Sequence, residues 1–261
     1  MPLPAPLLPL AARPRESAVL VDFDGSISAI VEDPASARAL PAARDALGDL
    51  TGAFATVAVV SGRPVEFLAR AVDVPGLTLV GQYGLERMVD GRAVVDGRAE
   101  PYLGAVAAAA DELERELPGL LVERKAGVAV TVHWRTAPER ELDAIDVVDR
   151  VARAHGLAVY TTKMARELRP PVPADKGTAV EVLVDGSTGA CFAGDDRGDL
   201  DAFAALERLA RAGRLEHAVR IAVGSAEAPA ELLAHADLSV DGPAGLVALL
   251  SDLAAATRTP R

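Results

Sequence analysis

The sequence predicts an α/β fold in which helices cover a mostly parallel sheet. Short apolar runs alternate along the chain with helix-like stretches, which is typical of strand–helix repeats. The runs at 18–21, 56–60 and 190–193 are apolar without alternation, as in strands buried on both faces of a parallel sheet. Polar residues follow these runs. Because ligands of such sheets bind at the carboxyl ends of the strands, we expect the functional site at that edge.

The predicted core elements follow one another in chain order. Two helices begin with a proline, Pro41 or Pro64, in the first turn, where the missing N–H of proline is tolerated. Two later helices end before Gly186 or Gly213, since glycine favours helix termination. The predicted strands are 18–21, 56–60, 77–80, 190–193 and 219–223, and the predicted helices are 41–50, 64–72, 176–184 and 199–212.

The middle of the chain, from about Met88 to Val172, has a different pattern. We expect an inserted module of roughly β-α-β-β-α-β character, followed by a stiff proline-rich linker at 170–173. The predicted division is a catalytic core formed by 1–87 and 173–261 and a cap formed by 88–172. The elements predicted in the module are helices at 101–117 and 139–154, a β-like run at 128–135 with Val128, Val130 and Val132 on one face, and strands at 157–160 and 164–168.

Composition and charge argue against several other classes of protein. Half of the 261 residues are apolar and a quarter are charged, so a sizeable core can be buried. The net charge of −11 disfavours nonspecific binding to nucleic acid or anionic membranes, and no run of about 18 uncharged apolar residues predicts a membrane span. Cys191 is the single cysteine, which excludes an intrachain disulfide. Residues 1–14 lack the basic start of a signal peptide, so we expect a cytoplasmic protein.

Two groups of carboxylates follow buried strands. Asp22 and Asp24 come directly after the run 18–21 and are two residues apart, so both side chains can point at one site. Each group alone would also fit a turn or a helix cap. Without a cation, however, so many carboxylates at neighbouring strand ends would repel one another, and oxygen ligands at this density favour Mg²⁺. The second group, after the run 190–193, consists of Asp195, Asp196, Asp199 and Asp201.

Two further features complete a predicted phosphate site. Ser61 follows the run 56–60, and Gly62 leaves the adjacent backbone accessible. Lys176 opens a predicted helix, where its ammonium group and the amides of the first turn both attract an anion. A lysine by itself is more often a solvated side chain. The neighbouring carboxylates are what favour a functional role for Lys176.

Together these motifs resemble those of the haloacid dehalogenase phosphatases. D-x-D-G-[TS] occurs at 22–26, S-G-R at 61–63, D-K-G at 175–177 and G-D-D-x-x-D at 194–199, in the order found in that superfamily. More narrowly, the chain is similar over most of its length to trehalose-6-phosphate phosphatases. The resemblance implies a Rossmann-like core with an inserted α/β cap. The narrower match also uses the segments 84–86, 122–125, 133–135 and 167–170.

The resemblance implies a role for each core motif. Asp22 is the expected nucleophile, which takes up the phosphoryl group, and Asp24 is expected to protonate the leaving sugar and then to activate water. Covalent capture by a carboxylate splits one difficult step into two, and a metal and a lysine neutralise the repulsion between anions. The implied Mg²⁺ ligands are Asp22, Asp24 through its carbonyl, and Asp195; Asp196 and Asp199 would order metal-bound waters and Lys176; and Ser61, Gly62 and Lys176 would bind the phosphoryl oxygens.

The cap is expected to choose the sugar. Glu123, Lys125 and Glu167 match positions at which the family binds glucose hydroxyls. Charged groups discriminate well for hydroxyls, because a substrate that lacks them leaves those charges unpaired. Each of the three would otherwise be a solvated strand residue. His133 is expected to have a structural role rather than a catalytic one.

Two departures from the family pattern bear on the substrate. Tyr83 stands where the family usually has a histidine, and Leu200 stands in a segment that usually carries a further carboxylate. The leading expectation is Mg²⁺-dependent hydrolysis of trehalose 6-phosphate by a monomer, with neither nucleic acid nor membrane as a partner. One alternative is a related phosphatase acting on another disaccharide, pseudo-disaccharide or sugar phosphate. The other is a noncatalytic domain that binds a sugar phosphate.

Overall fold

The computed structural model describes residues 2–162, 164–225 and 228–258, and the predicted α/β fold is confirmed. The chain forms two compact units, one made of Met1–Ala93 with Ala174–Arg261 and one made of Val94–Pro173. We call them the core unit and the cap unit. The predicted domain boundaries, after residues 87 and 172, stay a prediction.

Twelve strands and nine α-helices lie within the described residues. The strands are β1 Ser17–Val21, β2 Thr56–Val60, β3 Thr78–Gly81, β4 Glu86–Val89, β5 Arg92–Val95, β6 Leu121–Lys125, β7 Ala129–His133, β8 Ala158–Thr162, β9 Ala165–Arg169, β10 Gly189–Gly194, β11 His217–Gly224 and β12 Leu238–Asp241. The helices are α1 Leu8–Ala12, α2 Pro41–Ala53, α3 Val65–Val72, α4 Leu103–Glu116, α5 Glu141–His155, α6 Lys176–Leu183, α7 Asp199–Arg211, α8 Ala230–His235 and α9 Gly242–Arg258.

An eight-stranded sheet with the order β12-β11-β10-β1-β2-β3-β4-β5 forms the centre of the core unit. The strands from β12 to β3 are parallel, and β4 is antiparallel to β3. The five predicted core strands are confirmed as β1, β2, β3, β10 and β11, and the four predicted core helices as α2, α3, α6 and α7. Val21 at the end of β1 pairs with Ala193 and Val59 on its two neighbours. The residues that follow β1, β2 and β10 therefore share one edge of the sheet.

The central strands are apolar on both faces because a helical layer covers each face. Val19 and Val21 pack with α1, α2, α3 and α9, whereas Ala18 and Leu20 pack with α6, α7 and α8. Each fully buried Val or Leu side chain contributes about 1.5–3 kcal/mol through the hydrophobic effect. Cys191 in β10 belongs to the first of these layers, as its apolar neighbours predicted. In the part of the chain that the structure describes, no helix combines the length and the apolar character needed to cross a membrane.

The cap unit contains a four-stranded antiparallel sheet with the order β6-β7-β9-β8, covered on one face by α4 and α5. The two predicted helices are confirmed, and Val128, Val130 and Val132 are all buried. From Arg92 onward the chain runs β5-α4-β6-β7-α5-β8-β9, which contains the predicted order β-α-β-β-α-β and adds one further strand, β9. Within the sheet of the cap unit, β6 was not predicted from the sequence. Three of its five residues are charged, which masks the apolar alternation expected of a strand.

Candidate active site

The carboxylate of Asp22, which directly follows β1, is paired with the ammonium group of Lys176. Lys176 Nζ lies 2.8 Å from Asp22 Oδ1 and 2.6 Å from Asp199 Oδ1. The side chains of all three residues are buried, with at most 5 % of their surface exposed. Asp22 comes from the end of β1, Lys176 from the start of α6 and Asp199 from the start of α7. The fold therefore gathers three of the predicted site residues from distant parts of the chain.

A capping box and a close helix contact fix the position of Lys176. Thr178 N donates to Asp175 Oδ1 at 2.7 Å, and Asp175 N donates to Thr178 Oγ1 at 3.0 Å. Such caps stabilise a helix start by about 0.5–2 kcal/mol. A β-carbon at Gly177 would lie 2.5 Å from the carbonyl oxygen of Asp201, so only glycine lets the starts of α6 and α7 approach this closely. This contact sets Lys176 beside Asp199.

The loop after β10 is closed by Asp199. Its Oδ2 accepts hydrogen bonds from the backbone N–H groups of Asp195 at 2.8 Å and Asp196 at 3.0 Å. Asp195 is buried and accepts a hydrogen bond from Ser26 Oγ at 3.3 Å. Asp196 accepts from the backbone of Gly198 at 2.8 Å, and its side chain is 64 % exposed. Asp201, the fourth member of the predicted carboxylate group, is also exposed. The group is thus divided into two buried members, Asp195 and Asp199, and two exposed members.

Asp24 lies two residues after Asp22 but has a different partner. Arg63 binds its carboxylate with two hydrogen bonds of 2.8 Å, one from Nε and one from Nη2. Arg63 Nη1 also donates to the carbonyl oxygen of Pro34 at 3.0 Å, and the guanidinium lies 4.8 Å from the ring centroid of Phe67. Asp24 and Arg63 are both only partly buried. The structure therefore separates the side chain of Asp24 from the Asp22–Lys176 pair and holds it through Arg63.

The predicted phosphate-binding segment follows β2. Ser61 is buried, and its Oγ accepts a hydrogen bond from Arg63 N at 3.2 Å. The carbonyl oxygen of Ser61 accepts from Tyr83 N at 3.0 Å. A β-carbon at Gly62 would lie 2.5 Å from Cζ and 2.6 Å from Oη of Tyr83, so the phenol end of Tyr83 lies against the α-carbon of Gly62. Tyr83 thereby belongs to the surroundings of the predicted phosphate site.

The electrostatics of the site are dominated by burial and by an excess of negative charge. Burial raises the pKa of Asp22 well above its ordinary value, and the ammonium of Lys176 opposes that rise. Burial, with the negative charges of Asp199 and Asp196, raises the pKa of Asp195 to about 7. Burial alone would lower the pKa of Lys176, but the surrounding carboxylates hold it well above its usual range. Lys176 is therefore a permanent cation among carboxylates that are costly to ionise.

These residues fit a magnesium ion. One carboxylate oxygen each from Asp22, Asp195 and Asp199 lies within 4.8 Å of the others, and Mg²⁺ prefers such oxygen ligands. Burial and the neighbouring carboxylates make a negative charge on Asp195 unfavourable, which its raised pKa reflects, and a divalent cation would offset that effect. Gly25 contributes as well, because a β-carbon there would collide with the Asp195 carboxylate, which lies against the backbone next to Asp24. Both oxygens of Asp199 are already bound to Lys176 or backbone amides, which suits a positioning role.

The cap unit places the three predicted sugar-binding residues on one face of its sheet. Glu123 on β6 is paired in register with Thr131 on β7, and Thr131 is paired with Glu167 on β9. Glu167 is buried and accepts hydrogen bonds from Lys125 Nζ and from Thr131 Oγ1, the latter at 2.9 Å. His133 Nε2 lies 2.9 Å from Glu123 Oε2. The cross-strand register therefore brings Glu123, Lys125 and Glu167 together, as their predicted role requires.

The pKa values of Glu123 and Glu167, the two cap carboxylates of this group, are both lowered, which favours their ionised form. The hydrogen bond from His133 is the main cause that lowers the pKa of Glu123, with a further contribution from Lys125. Burial alone would raise the pKa of Glu167, but Lys125 and Arg169 hold it below its ordinary value. Two carboxylates that stay charged can accept hydrogen bonds from sugar hydroxyl groups.

Two arginines of the site had no role predicted from the sequence. Arg63 belongs to the S-G-R motif, and its side chain binds Asp24. Arg169 donates to Glu167 Oε1 from two residues further along β9, and its guanidinium lies 4.4 Å from the ring centroid of Tyr160. The role of Arg169 could have been inferred from its spacing to Glu167, because residues two apart on a strand lie on the same face of the sheet. Arg169 follows Glu167 at that spacing.

Comparison with known proteins identifies a family. The sequence model of that family, described as trehalose-phosphatase, matches residues 20–240. A trehalose-phosphate phosphatase of Mycobacterium leprae is 35 % identical over 209 residues, which cover 74 % of this chain and 48 % of that protein. An uncharacterized glycosyl hydrolase of Mycobacterium tuberculosis is 39 % identical over 211 residues, which cover 74 % of this chain and 15 % of that protein. The chain thus spans about half the length of the curated phosphatases that it matches.

Solved structures show the same fold. The C-terminal domain of Candida albicans trehalose-6-phosphate phosphatase superposes with a TM-score of 0.74 at 23 % identity, covering 97 % of this chain and 98 % of that chain. A haloacid dehalogenase-like hydrolase from Bacteroides thetaiotaomicron gives 0.60 at 15 % identity, covering 90 % and 98 %. The family match runs from within β1 into β12, and it confirms the resemblance that the motifs predicted. This chain therefore belongs to the trehalose-phosphatase family, on a haloacid dehalogenase-like fold.

Proposed function

We propose that this chain is a Mg²⁺-dependent phosphatase that hydrolyses trehalose 6-phosphate to trehalose and inorganic phosphate. The observation that carries the proposal is the buried carboxylate of Asp22, held 2.8 Å from the ammonium of Lys176 at the carboxyl end of β1. Attack by a carboxylate on an anionic phosphate ester requires nearby positive charge, because the two anions otherwise repel each other. Membership of the trehalose-phosphatase family supports the same activity.

In the first half of the proposed reaction, a carboxylate oxygen of Asp22 attacks phosphorus. The bond between phosphorus and the sugar oxygen breaks, which leaves an aspartyl phosphate on residue 22. Asp24 gives a proton to the departing sugar oxygen. To do so it must release at least one of its two hydrogen bonds to Arg63. Ser61, Gly62 and Lys176 bind the phosphoryl oxygens while the bond breaks.

In the second half, Asp24 acts as a base. It removes a proton from a water molecule whose oxygen attacks phosphorus, the bond to Asp22 breaks, and inorganic phosphate leaves. The hold of Arg63 on the ionised carboxylate suits this basic form of Asp24. Bound by Asp22, Asp195 and the Asp24 carbonyl, Mg²⁺ would supply positive charge to the phosphoryl oxygens. Asp196 and Asp199 would order the surrounding water and Lys176.

We further propose that the cap unit selects the sugar. Lys125 donates a hydrogen bond to Glu167, and Glu123, which is paired with His133, lies on the same face of the sheet. Hydroxyl groups of a glucose ring can replace or extend these bonds. A substrate without those hydroxyls would leave the charged groups unpaired, which is a strong basis for discrimination.

The deciding experiment is phosphate release from a panel of sugar phosphates in the presence of Mg²⁺. We expect trehalose 6-phosphate to give the highest kcat/KM. Preference for another disaccharide or sugar phosphate would mean that the chain performs the same chemistry on a different substrate. Binding of the sugar phosphates without any phosphate release would instead identify a noncatalytic domain.

Our proposal for the cellular setting is a monomer that acts in the cytoplasm on a small phosphorylated sugar. The single cysteine, Cys191, is a buried free thiol, which is compatible with a reducing compartment. The net charge of −11 disfavours nucleic acid as a partner. Sedimentation of the purified chain would test the monomer.

A further inference from the structure

The segment Gln82–Gly84 is held in a costly conformation beside the predicted phosphate site. Gln82 has φ +48° and Tyr83 has φ +58°, so two consecutive residues with side chains adopt the left-handed region. This region is unfavourable for residues with bulky side chains, such as Tyr83. The buried Gln82 adds a second cost. Among the residues that the structure describes, neither polar atom of its side-chain amide has a hydrogen-bond partner.

The surrounding structure maintains this conformation from several sides. Tyr83 N donates to the carbonyl oxygen of Ser61, and Gln82 N donates to that of Arg63, each at 3.0 Å. Glu86, just beyond the segment, accepts a hydrogen bond at 3.0 Å from Val65 N at the start of α3. Strain of this kind persists where neighbouring contacts impose it, and it concentrates at functional sites. One consequence of these contacts is that they fix the position of the Tyr83 side chain.

That side chain ends at the phosphate-binding segment. A β-carbon at Gly62 would come within 2.6 Å of Tyr83 Oη, so the hydroxyl group lies against the backbone of Gly62. Any larger residue at position 62 would displace it. Ser61 and Gly62 are the residues that we propose bind the phosphoryl oxygens. A hydroxyl group donates readily to such oxygens, and hydrogen bonds to an ionised acceptor are the strong ones.

We infer that Tyr83 binds the substrate, with its hydroxyl group donating a hydrogen bond to the phosphoryl group held by Ser61 and Gly62. This inference rests on the proposed function, because it assigns the acceptor to the phosphate of the substrate. Since the phosphoryl group is common to every phosphate monoester, Tyr83 contributes to all substrates. The cap residues, by contrast, contribute only to those that carry the right sugar.

The test compares Tyr83→Phe, which removes only the hydroxyl group, with Tyr102→Phe, the same change in the cap unit. The probe is inorganic phosphate, titrated by calorimetry into the protein with Mg²⁺ present. We expect Tyr83→Phe to bind phosphate about tenfold to a hundredfold more weakly, the scale of one hydrogen bond to a charged group. Tyr102→Phe should bind it as the unaltered chain does. The kcat/KM values of Tyr83→Phe for trehalose 6-phosphate and for an aryl phosphate should fall by similar factors.

A second variant separates binding from folding. Asparagine tolerates the left-handed region better than tyrosine does, so Tyr83→Asn keeps the backbone conformation and removes the phenol. We expect it to remain folded by circular dichroism and to lose phosphate affinity as Tyr83→Phe does.

Three results would overturn the inference. They are unchanged phosphate affinity in Tyr83→Phe, a loss of kcat/KM confined to trehalose 6-phosphate, and an unaltered chain that binds no phosphate. The proposed function fails by a different result, in which the unaltered chain binds phosphate but releases none from trehalose 6-phosphate. In that case the phosphate titration still decides the role of Tyr83.

Discussion

Asp24 Oδ2 lies 2.8 Å from Arg63 Nε, and Asp24 Oδ1 lies 2.8 Å from Arg63 Nη2. This paired geometry orients the carboxylate as well as attracting it, because the planar guanidinium presents two parallel donors. Arg63 is itself fixed by the carbonyl oxygen of Pro34 and by the ring of Phe67. The side chain of Asp24, the proposed general acid and base, therefore has a defined orientation in the absence of substrate.

Arg63→Lys should lower kcat about tenfold to a hundredfold. A lysine keeps the charge but cannot reproduce two parallel hydrogen bonds, so the carboxylate of Asp24 loses its orientation. KM should change much less, because Arg63 acts through Asp24. Steady-state kinetics measure both, and Arg70→Lys on the exposed side of α3 is the matched control. An unaltered kcat would mean that the Asp24–Arg63 pair has no part in turnover.

Asp22→Asn should abolish turnover and leave the fold intact. An amide cannot act as the carboxylate nucleophile, while it has almost the same volume in this buried position. Phosphate release measures the activity, and urea unfolding measures the stability. Asp45→Asn, on the exposed face of α2, is the control for the chemical change. Full activity in Asp22→Asn would contradict covalent catalysis at residue 22.

Removal of divalent metal should stop turnover, and added Mg²⁺ should restore it. The buried carboxylates carry more negative charge than Lys176 can balance, so a cation is needed before a phosphate can approach. Thermal unfolding measures Mg²⁺ binding independently of activity, because an ion that binds only the folded protein raises the Tm. Mg²⁺ should raise the Tm of the unaltered chain and have little effect on Asp195→Asn. Equal shifts in both proteins would place the ion elsewhere.

Glu167→Ala should lower kcat/KM for trehalose 6-phosphate by roughly tenfold to a thousandfold, the scale of one or two lost hydrogen bonds to a charged group. Binding energy from the remote part of a substrate can drive later steps, so kcat should fall as well as binding. An aryl phosphate, which lacks the sugar, should react at nearly the same rate as before. The exposed Glu139 provides the control Glu139→Gln. Equal losses on both substrates would make Glu167 a structural residue.

The stability of the core unit should depend on pH through Asp237. Its carboxylate accepts hydrogen bonds from N, Nε and Nη2 of Arg220 at 2.7, 3.0 and 2.8 Å. Burial would raise the pKa of Asp237, but the bonds from Arg220 outweigh it and hold the pKa below its ordinary value. A lowered folded-state pKa stabilises the protein above the unfolded-state pKa of about 4, and this contribution is lost as pH falls through the folded-state pKa.

Asp237→Asn should therefore lower the free energy of unfolding by about 1–2 kcal/mol at neutral pH. The difference from the unaltered chain should shrink progressively below about pH 4. Urea unfolding at several pH values measures both quantities. Asp146→Asn on the exposed side of α5 should show no such trend. A difference that stays constant down to low pH would show that the charge of Asp237 does not stabilise the fold.

The parts of the molecule that were predictable from sequence are those with a strong local signal. The runs that became β1, β2 and β10 are apolar throughout because both faces are covered, and that property is visible without a structure. The position of Asp22, Ser61 and Asp195 at one edge followed from the same argument, since each directly follows a parallel strand of the core sheet. The edge strand β12 and the charged strand β6 lack such a signal and were missed.

Long-range side-chain pairs were not predictable. Asp24 and Arg63 are 39 residues apart, and which carboxylate Arg63 would bind depends on how β1 and β2 are aligned. The strain at Tyr83 is also invisible in the sequence, because nothing in the letters Gln-Tyr-Gly specifies a left-handed backbone at the first two positions. It arises from tertiary contacts, which override local preference.

The chain passes between its two compact units only twice, near residues 94 and 174. Glu123, Lys125 and Glu167 consequently lie in one uninterrupted stretch of the chain, while Asp22, Ser61 and Lys176 lie outside it. Recombination at two codons could replace the whole stretch without altering any of the latter residues. If the cap unit selects the sugar and the core unit performs the phosphate chemistry, as we propose, new sugar preferences can evolve by exchange of the segment Val94–Pro173 without any change in the phosphate chemistry.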